Sequence, residues 1–171
     1  GLIKEIDAPK TGCWISVVEP TEDEIEALVT DYNLDSGFVK SSLDEEESSR
    51  IEKEDDQTLI IIDTPVSSVD NDETLFFYTL PIGIILTEDY VFTISSKSTR
   101  IVSEAMNGSI RNLATQMKTR FVLQLLLRIT TLFLFYLKQI EKTSSMAEQG
   151  LHNAMQNKLL MQLLELEKSL V

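Results

Sequence analysis

Residues 74–95 read TLFFYTLPIGIILTEDYVFTIS, and this stretch decides the fold. Its runs at 74–80, 82–86 and 90–95 are rich in β-branched and aromatic residues. Pro81, Gly83 and the polar turn Thr87-Glu88-Asp89 punctuate them, which predicts three strands in an antiparallel meander. Outward from there, residues 59–63 (LIIID) form the continuous apolar run of a central strand, separated from the meander by the turn Asp70-Asn71-Asp72-Glu73. Arg50-Ile51-Glu52-Lys53 reads as a strand start or sheet edge, and residues 13–18 (CWISVV) as a further short strand. Trp14, Ile60, Phe76, Ile84 and Phe92 are the expected core of this sheet.

Helices are expected on either side of the strand region. Thr21 follows Pro20 as an N-cap, Glu24 is its reciprocal partner three residues on, and Ile25, Leu28, Val29 and Tyr32 share the apolar face that follows. A second short helix is expected at residues 36–43. After the turn at Asn107-Gly108, helix is predicted from about Ile110 to Val171, a stretch without proline whose single glycine is Gly150. Leu159, Leu160, Leu163, Leu164, Leu166 and Leu170 hold helical spacing to the last residue, with no stop signal, as in a piece of a longer chain. The order strand, helices, strand meander, long helices describes an α/β (α+β) chain, a layered domain whose sheet is covered by helices, followed by long C-terminal helices. The layered region is assigned to residues 1–108 and the long helical region to 109–171.

The formal charge of −13 is uneven, since residues 1–56 hold 17 of the 28 acidic side chains and 5 of the 15 basic ones. Such a surface repels phosphate backbones and anionic headgroups, so nucleic acid and acidic membrane surfaces are disfavoured as partners and cations are favoured. A lone Cys13 allows neither an internal disulfide nor a cysteine metal cluster and fits a reducing compartment. Residues 121–137 (FVLQLLLRITTLFLFYL) are shorter than the ~20 apolar residues of a membrane span and contain Arg128, so they predict a buried helix.

Catalytic patterns are missing. The six glycines are scattered singly, so no phosphate-binding loop is formed, and His152 is the only histidine available to a triad. Met155, Leu159 and Met161 read as helix packing. The densest carboxylate run is Asp44-Glu45-Glu46-Glu47, followed by Glu54-Asp55-Asp56, and hard cations such as Mg2+ take oxygen ligands of this kind. Asp44, Glu45, Glu46, Glu47, Asp55 and Asp56 are therefore the candidate metal ligands, for weak binding, with no tightly bound cofactor expected. Pairing Glu52 with Asp55 or Asp56 as acid and base would require burial to separate their pKa values.

Trp14-Ile15-Ser16-Val17, Pro20 with its acidic helix start, Arg50-Ile51-Glu52 before an apolar strand, the strand pair 80–86 and 90–94, and the Leu/Phe-rich helix together resemble the cytoplasmic domain of CorA-type divalent-cation transporters. The resemblance covers essentially the whole chain. It implies a layered α/β/α domain with a mixed, partly antiparallel sheet, belonging to a homopentameric magnesium (also cobalt or nickel) channel or transporter in the cell membrane. This chain would then be its cytoplasmic regulatory domain, not an enzyme, ending before the stalk and transmembrane helices, which would be its only contact with membrane. Self-association follows as pentamer at full length and as monomer or weak dimer for this chain. Met106-Asn107 follows Ala105, so it is not the Gly-Met-Asn signature of the family's pore. The carboxylates that hold a regulatory cation in such proteins fall here on residues 39–43, which include Lys40 and Ser41, and near Leu127, none of them acidic. The other readings are a zinc transporter of the same fold and a soluble helical interaction or adaptor protein, with a carboxylate-pair hydrolase as a third class.

Overall fold

The computed structural model describes residues 4–69 and 75–169. In chain order these form β1 (Trp14–Val18), α1 (Glu22–Thr30), α2 (Ser36–Leu43), β2 (Arg50–Glu54), β3 (Gln57–Val69), β4 (Leu75–Leu86), β5 (Val91–Ser95), α3 (Arg100–Met106) and α4 (Lys118–Ser169). One five-stranded sheet runs in the order β1-β5-β4-β3-β2. β1 lies parallel to β5, and every other pairing is antiparallel, so the sheet is mixed, as the family resemblance implies. The turn at Asp70 to Glu73, together with Leu170 and Val171, falls outside the described residues.

Side-chain alternation along the strands divides the core into two layers. On one face, Leu59, Ile61, Ile85, Phe92 and Ile94 pack with Leu28 and Leu34 and with Phe38 and Val39 of α2. On the other, Trp14, Ile82, Ile84 and Thr93 meet Ile101, Val102 and Ala105 of α3 and Leu125 and Ile129 of α4. The outcome is helix, sheet, helix. The predicted capping box closes α1: the Thr21 side chain accepts from the Glu24 N–H at 3.3 Å, and Glu24 Oε2 accepts from the Thr21 N–H at 2.8 Å. Thr21→Ala is expected to cost about 1 kcal/mol in a urea melt. Those bonds also hold the Glu24 carboxyl below its ordinary pKa.

Several expectations are corrected. Residues 75–86 form one strand through Pro81 and Gly83, not two. Pro81 pairs with Asp63, and β5 reaches only to Gly83, so a residue without an N–H lies where β4 has an open edge. The meander is therefore β2-β3-β4-β5. Of the predicted core, Ile84 and Phe92 are buried, whereas Trp14 and Ile60 are half-buried. The Trp14 indole donates to Thr93 Oγ1 at 2.9 Å, and its ring meets Phe121 at 5.4 Å. Phe76 is 43% exposed and stacks on Tyr78, on the part of the β3–β4 pair that runs past both β2 and β5.

The helical region also differs. Residues 100–106 form α3, which was not expected, and α4 begins at Lys118, eight residues after Ile110. The intervening loop still contributes to the core, since Ile110 and Leu113 are buried. Lys118 Nζ donates to the carbonyls of Thr87 and Glu88, fixing the start of α4 against the β4–β5 turn.

In place of several long helices there is one of 52 residues. By length and composition it could cross a membrane, with mean hydropathy 1.6 over its most apolar window. The reading of residues 121–137 as a buried helix holds for one face only. Phe121, Val122, Leu125, Ile129 and Leu132 are buried, whereas Leu123, Leu127, Leu134 and Leu137 are 56–62% exposed. Two compact units result, Gly1–Phe133 and Leu134–Val171. In the second, Leu159, Leu160, Leu163 and Leu164 are exposed, as are Met155 and Met161, which with Leu159 were expected to pack within the helical region. A Cβ added at Gly150 would touch nothing within 4 Å. Gly150→Ala is therefore expected to stabilise this helix by about 0.5–1 kcal/mol, read as increased helical circular dichroism.

Candidate functional site

The candidate metal ligands are divided among local tasks. Asp44 ends α2, and its Oδ1 accepts from the Glu46 N–H at 2.9 Å. Glu45 is held by Lys97 at 2.7 Å and accepts from Ser96 Oγ at 3.0 Å, contacts that lower its pKa. Glu47 accepts from the Ser48 N–H, the largest cause of its own lowered pKa, and pairs with Arg50 at 2.6 Å. Asp55 and Asp56 form the exposed β2–β3 turn, with Asp55 in the left-handed region at φ 48°. Glu52 is taken by Arg50 at 3.0 Å. The structure thus brings Glu45 and Glu47 to cations of the chain itself and leaves Asp55 and Asp56 apart from them. Among the described residues, no three His, Cys, Asp or Glu side chains are grouped so that they could hold a metal ion.

The positions that the family resemblance singled out are equally devoid of acid. Lys40 is exposed, Ser41 accepts from Arg50 Nη2 at 3.2 Å, and Leu127 is 62% exposed. His152, on the exposed second half of α4, lies 2.9 Å from the Gln156 side-chain amide. Cys13 is a half-buried free thiol.

The strongest electrostatic feature lies between α3 and α4, and sequence reasoning missed it. Arg128 Nε and Nη2 donate to the two carboxylate oxygens of Glu104 at 2.5 and 2.7 Å, while Arg100 Nε donates to Oε1 at 2.9 Å. Two guanidiniums around a carboxylate only 13% exposed form a strong, geometrically specific contact. The signal was available: Arg128 is the only charge in residues 121–137, and a lone charge in an apolar run implies a partner. The Arg128 hydrogen bonds, reinforced by Arg100, hold the Glu104 carboxyl below its usual value of 4.5.

A depressed carboxyl contributes stability that is present above its unfolded pKa and is lost as pH falls through the lower folded value. Glu104→Gln should therefore melt below wild type from neutral pH down to about pH 5 and converge with it in stronger acid. At pH 7 the deficit should be about 1–2 kcal/mol. A constant difference across the whole range would show that the charge is not what matters.

A family model described as CorA-like Mg2+ transporter protein matches residues 9–171. Among solved structures, the chain is similar to the soluble domain of CorA from Methanocaldococcus jannaschii, with a TM-score of 0.63 and 22% identity, covering 75% of this chain and 51% of that one. It is also similar to the complete CorA magnesium transporter of that organism, with a TM-score of 0.60 and 21% identity, over 75% of this chain and 40% of that one. The chain thus spans about half the length of the soluble domain. No curated protein matches it. The structural likeness establishes a shared fold, a mixed α/β sheet followed by a long helix. The family match covers nearly every residue, and the chain belongs to the CorA-like Mg2+ transporter family.

Proposed function

We propose that this chain is the cytoplasmic, regulatory domain of a membrane-embedded transporter of divalent cations, Mg2+ and Co2+ first among them. The observation that carries this reading is the family match over residues 9–171 together with a sheet domain feeding one 52-residue helix. Among the described residues no catalytic constellation competes with it. Self-association accompanies that role, as a pentamer in the complete transporter and as a monomer or weak dimer for the chain alone.

The test is uptake. Expressed from its complete gene in cells lacking their own magnesium uptake, the protein should restore growth at low Mg2+ and increase accumulation of labelled Co2+. Neither effect from a protein that reaches the membrane would refute the reading. Mg2+ binding by the chain alone should be weak, roughly millimolar and without a dominant site, because its paired carboxylates already have cations. A single micromolar site in isothermal titration would reverse that expectation. The run from Asp44 to Glu47 would then be the first place to substitute.

A further inference from the structure

Every charged side chain of α3, and the single one in residues 121–137 of α4, meet at one point. They are Arg100 and Glu104 on α3 and Arg128 on α4. The rest of that contact is apolar. α4 buries Phe121, Val122, Leu125, Ile129 and Leu132, and the surface that receives it, from Trp14 and Ile84 on the sheet to Ile101 and Ala105 on α3, is aromatic and aliphatic.

Between Lys118 and Phe133, α4 has a second apolar face of nearly the same make-up. Leu123 and Leu127 are exposed, and Leu126 and Phe133 are half-buried. At 3.6 residues per turn the two sets are centred about 130° apart, with Gln124, Arg128 and Thr131 between them on one side. Apolar side chains of about the right volume fill a layer in more than one arrangement, and cores lose a unique packing before they lose stability. Hydrophobic burial by itself therefore does not choose between the two faces.

We propose that the cluster of Arg100, Glu104 and Arg128 is a rotational lock, which selects the face of α4 that packs on the sheet. The fork of Arg128 meets both carboxylate oxygens of Glu104, a geometry that fits one rotation of the helix only. Turned to its other face, α4 would carry Arg128 to the outside and leave a carboxylate only 13% exposed with Arg100 alone. A partly buried ion pair is weak evidence for stability, because apolar residues of similar volume often serve as well, and its best-attested use is to fix a register.

Thiol labelling separates rotation from stability. In a Cys13→Ser background, Leu125→Cys and Leu127→Cys report on the buried and the exposed face by their rates of reaction with a maleimide. With the cluster intact, position 127 should react at least about tenfold faster than position 125. Glu104→Met combined with Arg128→Met should bring the two rates within about threefold of each other, while circular dichroism and the urea midpoint stay close to those of the parent. Matched midpoints exclude global unfolding as the source of faster labelling at 125. Arg128→Lys, which keeps the charge but not the fork, should give an intermediate ratio. An unchanged ratio in the folded double variant would show that packing alone sets the rotation and would overturn the proposal. A double variant that fails to fold would overturn it too, because the cluster would then hold the fold itself.

Discussion

Ile61→Asp is expected to abolish the cooperative unfolding transition of the sheet unit. Ile61 is 2% exposed and packs against the α1–α2 layer with Leu59, Phe38 and Ile94. No cation is available in that cluster, and an unpaired buried carboxylate costs several kcal/mol, comparable with the roughly 5–15 kcal/mol that holds a whole domain together. Circular dichroism in a urea series checks this directly. Ile51→Asp serves as the control, because Ile51 on edge strand β2 is 73% exposed and should change stability by no more than about 0.5 kcal/mol. Ile60 lies between these cases. It pairs with Ile51 on the other face of the sheet and is only half-buried, so a carboxylate there should cost less than at Ile61. A wild-type transition in Ile61→Asp would mean that this layer does not carry the core.

The difference between Ile60 and Ile61 shows what the sequence could and could not say. An apolar run such as LIIID marks a strand buried on both sides but does not say how completely each side is covered. Local chemistry was legible: Thr21 and Glu24 announce a capping box, and the short helix expected at residues 36–43 is found as α2 from Ser36 to Leu43. Features set by distant partners were not. Pro81 reads as a break until one knows that β5 stops short of it, and Phe76 reads as core until the β3–β4 pair is seen to outrun its neighbours. The parallel pairing of β1 with β5 joins residues 77 positions apart, and no local pattern encodes it. The candidate ligands were chosen by charge density alone. Density in sequence does not bring side chains together, and Glu45 and Glu47 instead serve Lys97 and Arg50. Arg128 was readable as an anomaly, but its partner Glu104, 24 residues away, was not.

Gly83→Ala should destabilise the unit by about 3 kcal/mol, at the upper end of what overpacking costs. Gly83 lies inside β4, paired with Ile61 on one side and Ile94 on the other, beneath α2. A Cβ at this position would stand 1.8 Å from Ser42 Oγ, 2.3 Å from its Cβ and 3.1 Å from its Cα. Rotating the hydroxyl away does not relieve the contacts to Cβ and Cα, so helix and strand must separate. Ser42 has no room to yield, being fully buried with its Oγ donating to the Phe38 carbonyl at 2.7 Å. The clash is specific and can therefore be reversed. Ser42→Gly alone should cost about 1 kcal/mol as a glycine within a helix. Combined with Gly83→Ala it removes the two closest contacts, so the double variant should be more stable than Gly83→Ala alone, with a coupling of at least about 1 kcal/mol. Urea midpoints at constant slope measure all four proteins of the cycle. If the two losses simply add, α2 does not rest on the backbone of β4, and the close approach of that helix to the sheet would have to be abandoned.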